Sequence, residues 1–146
     1  MNLIAATTRQ FLLAYNAVCK PFCRELGLPQ TSFDILMFLG NNPEHNTASD
    51  IVEIRNIKAN LISVNVDRLV RDGYLTRHAV KGDRRKVELL CTEKAQPIIA
   101  EGRKIQKAFA DRLFANMDGD VRRAFSAAMG IIEKNLDEIL ESEEKS

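Results

Sequence analysis

The sequence predicts a mainly α-helical protein that carries one small β-hairpin. Three observations lead there. Apolar residues recur three or four apart in segment after segment, the spacing of one helix face. After Gly73 that spacing gives way to short runs rich in Val, Leu, Tyr and Thr, broken by a Gly-Asp pair that suits a turn. The cations crowd into the middle: Arg55 to Lys86 holds nine cations and three acids, a local +6 within a chain of net charge +1.

In chain order, Asn2 to Leu26 sets Phe11, Tyr15, Val18, Phe22 and Leu26 on one helical stripe. "GLPQTS" ends it, and Thr31 with Asp34 three residues on predicts a capping box for a second helix, "SFDILMFLG", halted by "NNP". Thr47 and Asp50 repeat that spacing and predict the start of a short third helix, "ASDIVEI". A fourth spans "IKANLISVNVDRLVRDG". There Ile62, Val66 and Leu69 face one way, Asn60, Ser63, Asp67 and Arg71 another, and Gly73 is placed to end the helix. "YLTRHAV" and "KVELLC" predict two strands with "KGDRR" as their turn. Thr92 opens a fifth helix running to Asn116, with Ile98, Ile105, Phe109 and Leu113 as its stripe, until "MDGD" breaks it. A last helix, from Val121 to Leu140, aligns Val121, Phe125, Ala128, Ile132, Leu136 and Ile139. The acidic "ESEEKS" is expected to fray.

Three short helices and a hairpin between long helices form the winged helix-turn-helix arrangement. The expected class is mainly α with a small β-hairpin wing, a winged helix-turn-helix plus long N- and C-terminal dimerisation helices. The expected boundaries are 1–28 and 97–142 for the dimerisation helices, 29–96 for the DNA-binding domain and 143–146 for the tail. Each terminal helix carries a single apolar stripe, which is better buried against a second copy than left in water, so a homodimer is expected.

In a helix-turn-helix one helix sets the height on the duplex while the next lies in the major groove. Here Thr47 to Ile54 is the positioning helix, with Thr47 and Ser49 at its start facing the DNA, and Lys58 to Arg71 is the reading helix. Asn60 is the first choice for readout, because its amide can pair with an adenine edge; Ser63 and Val64 stand beside it. The alternative for Asn60 is a helix cap. Lys58, Arg68 and Arg71 suit phosphates, which position without specifying sequence. In the wing, Lys81, Asp83, Arg84, Arg85 and Lys86 form the basic tip, with Arg84 and Arg85 aimed at the minor groove. Asp83, and Asp67 from the reading helix, are expected to brace those arginines, or Asp83 simply forms the turn.

Other classes find little support. No apolar run approaches the roughly 18 residues of a membrane span, and the first residues lack the basic region of a signal peptide, so a soluble, cytoplasmic protein without membrane partners is expected. There is no phosphate loop and no Ser or Cys near a His, which argues against an enzyme and against a cofactor. His45 and His78 lie far apart, so no metal cluster is expected. Two alternatives stay open: thiol-based redox sensing through Cys19 and Cys23, four apart on the first helix with Cys91 as a third thiol, and a winged-helix protein-interaction module without DNA binding.

"DRL" at Asp67–Leu69, "DGYLTR" at Asp72–Arg77, "GDRRKVEL" at Gly82–Leu89 and "CTEKA" at Cys91–Ala95 together resemble the MarR family of bacterial transcription regulators. The resemblance covers nearly the whole chain. It implies a homodimer with two winged lobes, acting as a repressor on a pseudo-palindromic operator in double-stranded DNA and released by a small aromatic effector or an oxidant. Two positions depart from the family pattern. Ala95 stands where a Gly is usual, so the next helix is expected to begin without the usual bend, and Lys58 stands where Ser or Thr often opens the reading helix.

Overall fold

The computed structural model describes residues 2–145. Two compact units divide the chain, the first ending at Phe109 and the second beginning at Ala110. The elements are α1 (Leu3–Leu26), α2 (Gln30–Asn41), α3 (Ala48–Arg55), α4 (Ala59–Arg71), β1 (Leu75–Val80), β2 (Asp83–Cys91), a 3-10 turn (Glu93–Ala95), α5 (Gln96–Leu113) and α6 (Gly119–Glu144).

The first unit is built around α2. Its segment "SFDILMFLG" is apolar on nearly every side, and such a helix belongs in the middle of a core. Ser32, Phe33 and the run Ile35–Leu39 are buried there. Ile51 of α3, Ile62, Val66 and Leu69 of α4, Leu75 and Leu89 of the hairpin, and Ile98 and Ile99 of α5 close around them. Gly40 and Gly102 let α2 and α5 approach: a Cβ on Gly102 would run into Met37 Sδ and come within 3.1 Å of Phe33. One polar pair crosses the core. The Ser32 hydroxyl donates to Asn65 Oδ1 at 2.7 Å, and the Asn65 amide donates to the Leu61 carbonyl at 2.8 Å, so both groups are satisfied where water is excluded.

The α1 stripe is tied in by a chain of side-chain bonds. Gln106 donates to the Tyr15 hydroxyl at 2.9 Å and accepts from Asn41, which in turn accepts from Arg103. Burial pushes the Tyr15 hydroxyl up to about 12. Cys19 and Cys23 face the same core, and burial raises both thiols, Cys23 to about 11.

Several helix ends depart from expectation. α2 begins at Gln30 behind Pro29, whose φ of −61° suits a helix start, so Thr31 and Asp34 do not form the expected box. Asp34 instead accepts from the Gln30 amide at 2.9 Å and faces Arg55 at 3.9 Å. The expected box at Thr47 and Asp50 is present in both directions. A 3-10 turn, with Ala95 fully buried, separates Thr92 from α5, so the fifth helix starts three residues later than the periodicity predicted. In the second unit, Asp118 accepts from the Val121 backbone at 2.9 Å and starts α6 earlier than expected; the helix continues through Glu143 and Glu144, and Ser146 lies outside the described residues. None of the described helices is long and apolar enough to cross a membrane.

Candidate nucleic-acid interface

The interface is assembled from the start of α3, the outer face of α4 and the hairpin. The Thr47 hydroxyl accepts from the Asp50 backbone at 3.1 Å, while Asp50 accepts from the Thr47 backbone at 3.2 Å. The bond from Thr47 holds the Asp50 carboxyl below its ordinary value. Next to this cap, the Leu89 backbone donates to the Asn46 carbonyl at 2.7 Å, and Thr47 bridges Glu88. The hairpin is thereby fastened as a third strand-like rung to the residues that open α3.

α4 is aligned from both ends. Lys58 takes the N-cap position with its side chain in solvent, so Asn60 lies inside the first turn and is not the cap. At the other end the Tyr74 backbone donates to the Leu69 carbonyl at 2.8 Å and the Gly73 backbone to that of Val70 at 3.1 Å, with Gly73 at φ 84°. This is the paired closure that a left-handed residue after a helix permits, and glycine takes it without a Cβ clash. Lys94 caps the Asp72 carbonyl at 2.6 Å and lies over the Tyr74 ring.

At 100° per residue, Asn60, Ser63, Val64, Asp67 and Arg71 fall within an arc of about 100° on α4. All five are exposed, while Ile62, Asn65, Val66 and Leu69 on the opposite side are buried. Arg68 lies on the margin and turns inward: it donates to the Gly27 carbonyl at 2.9 Å and faces Asp72 at 3.7 Å. Its expected place among the phosphate contacts is therefore shared with an anchoring role that holds α4 to the turn before α2.

The hairpin corrects the reading of its tip. Val80 pairs with Asp83, so the two-residue turn is Lys81–Gly82, with Gly82 at φ 89°, and not the whole of "KGDRR". Arg84, Arg85 and Lys86 belong to β2 and are exposed along it. The ladder is irregular here: Ala79 lies opposite Val87 but Val80 opposite Asp83, so Arg84, Arg85 and Lys86 bulge out of the regular pairing. Asp83 accepts from the Arg85 backbone at 2.9 Å, the local turn bond of an Asp, and Asp67 is paired with Arg77 rather than with the tip arginines.

Arg77 is the residue that the sequence reading left out of the site. It sits on the α4-facing side of β1, across from Leu89, and lines a recess of about 390 Å³ with Ser49, Ser63, Val66 and Val87. The available signal was the strand period: Leu75 points inward, and Arg77 shares its face. Among the described residues no cluster of three or more His, Cys, Asp or Glu side chains is placed to hold a metal ion.

Residues 26–86 match the MarR family model. The structure is similar to a MarR protein from Peptoclostridium difficile, with a TM-score of 0.80 and 17% identity over 94% of this chain and 89% of that one. It is similar to a MarR family transcriptional regulator from Listeria monocytogenes complexed with 26mer DNA, with a TM-score of 0.80 and 17% identity over 93% of this chain and 90% of that one. A MarR transcriptional regulator from Methanosarcina mazei Go1 shares 22% identity at a TM-score of 0.71, covering 93% and 94% of the two chains. At these identities the likeness concerns the fold, and the family match covers the region from the end of α1 into the wing; the chain has the winged-helix fold of MarR proteins, and its residues 26–86 are similar to the MarR family.

Proposed function

We propose that the chain is a transcriptional regulator that binds double-stranded DNA in the cytoplasm as a homodimer, by contact and without catalysis. The observation that carries this reading is the exposed polar face of α4, held beside a basic hairpin by the rungs to Asn46 and Thr47. Asn60 and Ser63 would meet base edges, and Lys58, Arg71, Lys81, Arg84 and Lys86 would meet phosphates, with Ser49 at the start of α3 and Arg85 along the wing. The fold is shared with a protein whose structure is a complex with 26mer DNA.

A homodimer with two such surfaces reads a pseudo-palindrome, because protein symmetry is mirrored in the site. Repression is the simplest consequence of occupying a promoter. Release by a small aromatic effector belongs to the same proposal. An open recess of about 560 Å³ on α1 and the start of α2 sets Leu13, Ala17 and Leu28 beside Lys20 and Arg24, the apolar floor and cations that an aromatic acid needs. Thiol sensing is less favoured, since raised, buried Cys19 and Cys23 stay protonated at neutral pH and only the thiolate reacts readily.

The test is retention of fragments from the source genome by purified protein, followed by anisotropy titrations on the selected duplex at several salt concentrations. Sequence-selective, salt-sensitive binding is expected, weakened by millimolar benzoate. Binding that does not respond to sequence or to salt overturns the reading in favour of a protein-interaction module.

A further inference from the structure

We infer that α4 identifies a thymine by its C5-methyl group through Val64, one helical turn after Asn60; this rests on the DNA-binding reading above. Every other valine, leucine or isoleucine of α4 from Ile62 onward is buried or half-buried, yet Val64 is 67% exposed. A β-branched residue in solvent gains nothing from the core and is a mediocre helix former, so nothing in the fold of this unit calls for it.

Its surroundings point outward as well. Val64 stands between Asn60, one turn before, and Arg68, one turn after, with Ser63 beside it. Leu61, three residues earlier and 45% exposed, widens the apolar strip. Asp67, the next residue along the reading face, is occupied by Arg77 and so is drawn away from accepting a cytosine amino group. In the major groove the apolar feature on a base edge is the thymine methyl, and a side chain of this shape packs on it. A helix turn advances about 5.4 Å and a base step about 3.4 Å, so Val64 reaches the pair neighbouring the one that Asn60 reads. Asn60 and Val64 together form a reader for adenine followed by a methyl-bearing pyrimidine.

The experiment uses the duplex recovered by genomic selection, with each thymine replaced in turn by deoxyuridine. That change keeps the Watson–Crick edge and removes one methyl group. At one thymine per half-site the affinity should fall about fourfold, the worth of one buried methyl. Val64→Ala should bring the thymine-to-uracil ratio at that position to about one, and Val64→Ile should keep it. Because the side chain stands in solvent, thermal unfolding reports that both variants are folded. Uracil that is silent at every position, or a ratio that persists in Val64→Ala, overturns the inference while leaving DNA binding intact. A protein that selects no sequence at all overturns the DNA-binding reading and this inference together.

Discussion

Asn60 and Arg71 lie on one face of α4, and the proposed function sends them to different parts of a duplex. An amide in the first turn of a reading helix reaches a base edge, so Asn60→Ala should cost about 1–3 kcal/mol on the selected site and little on random DNA. Arg71→Ala should weaken both alike, and equal losses for Asn60→Ala would move Asn60 into the same class as Arg71. A second residue-scale prediction concerns Asp34. Burial raises its carboxyl above the ordinary value, although the Gln30 amide and Arg55 oppose the shift. A carboxyl raised in the folded state binds its proton more tightly there, so its contribution favours folding at low pH and is lost as pH rises through the folded value. Asp34→Asn, which keeps an acceptor for Gln30, should raise the melting temperature at pH 7. Calorimetry should show that advantage shrinking as the buffer is taken down toward pH 3.8, the ordinary value for the group. An advantage that stays constant with pH would assign the gain to something other than the charge.

At the scale of elements, the wing is a twisted two-stranded ribbon whose tip buries little. Replacing both Arg84 and Arg85 by Ala should therefore leave folding intact, within about 0.5 kcal/mol. Affinity for DNA should fall, and each phosphate left without its cation should flatten the slope of log affinity against log salt by about 0.9. Asp83→Ala removes the bond to the Arg85 backbone and should loosen the turn without releasing a guanidinium.

For the molecule as a whole, the proposed homodimer rests on the exposed apolar residues of the terminal helices. Leu3 and Ile4 on α1 are 82% and 77% exposed, and α6 leaves Phe125, Ile132, Leu136 and Ile139 in solvent. No described residue of α6 is buried, which is unusual for a helix with so regular a stripe. Light scattering at micromolar concentration should give twice the 16.5 kDa of a single chain. Phe11→Glu or Leu136→Glu should lower thermal stability and dimerisation together, because a charge at a dry interface is strongly unfavourable. A folded species with the mass of one chain would refute the dimer.

The helices, the change of period at Gly73 and the box at Thr47 were legible because each rests on local chemistry: apolar spacing, a glycine that accepts positive φ, a hydroxyl three residues from a carboxylate. Local chemistry also misled where two signals competed, as at Thr31, where Pro29 started the helix first. The partners that span the fold were beyond such reasoning. Asp67 with Arg77, Arg68 with Gly27, Ser32 with Asn65 and Leu89 with Asn46 pair residues 10 to 43 positions apart. The amino-acid order by itself determined which elements form and which faces are apolar, since those depend on neighbours within a turn or a strand. Only the tertiary structure decided which charged side chains stay free to meet a ligand, because a guanidinium or carboxylate binds whichever counter-group the packing brings within hydrogen-bond reach.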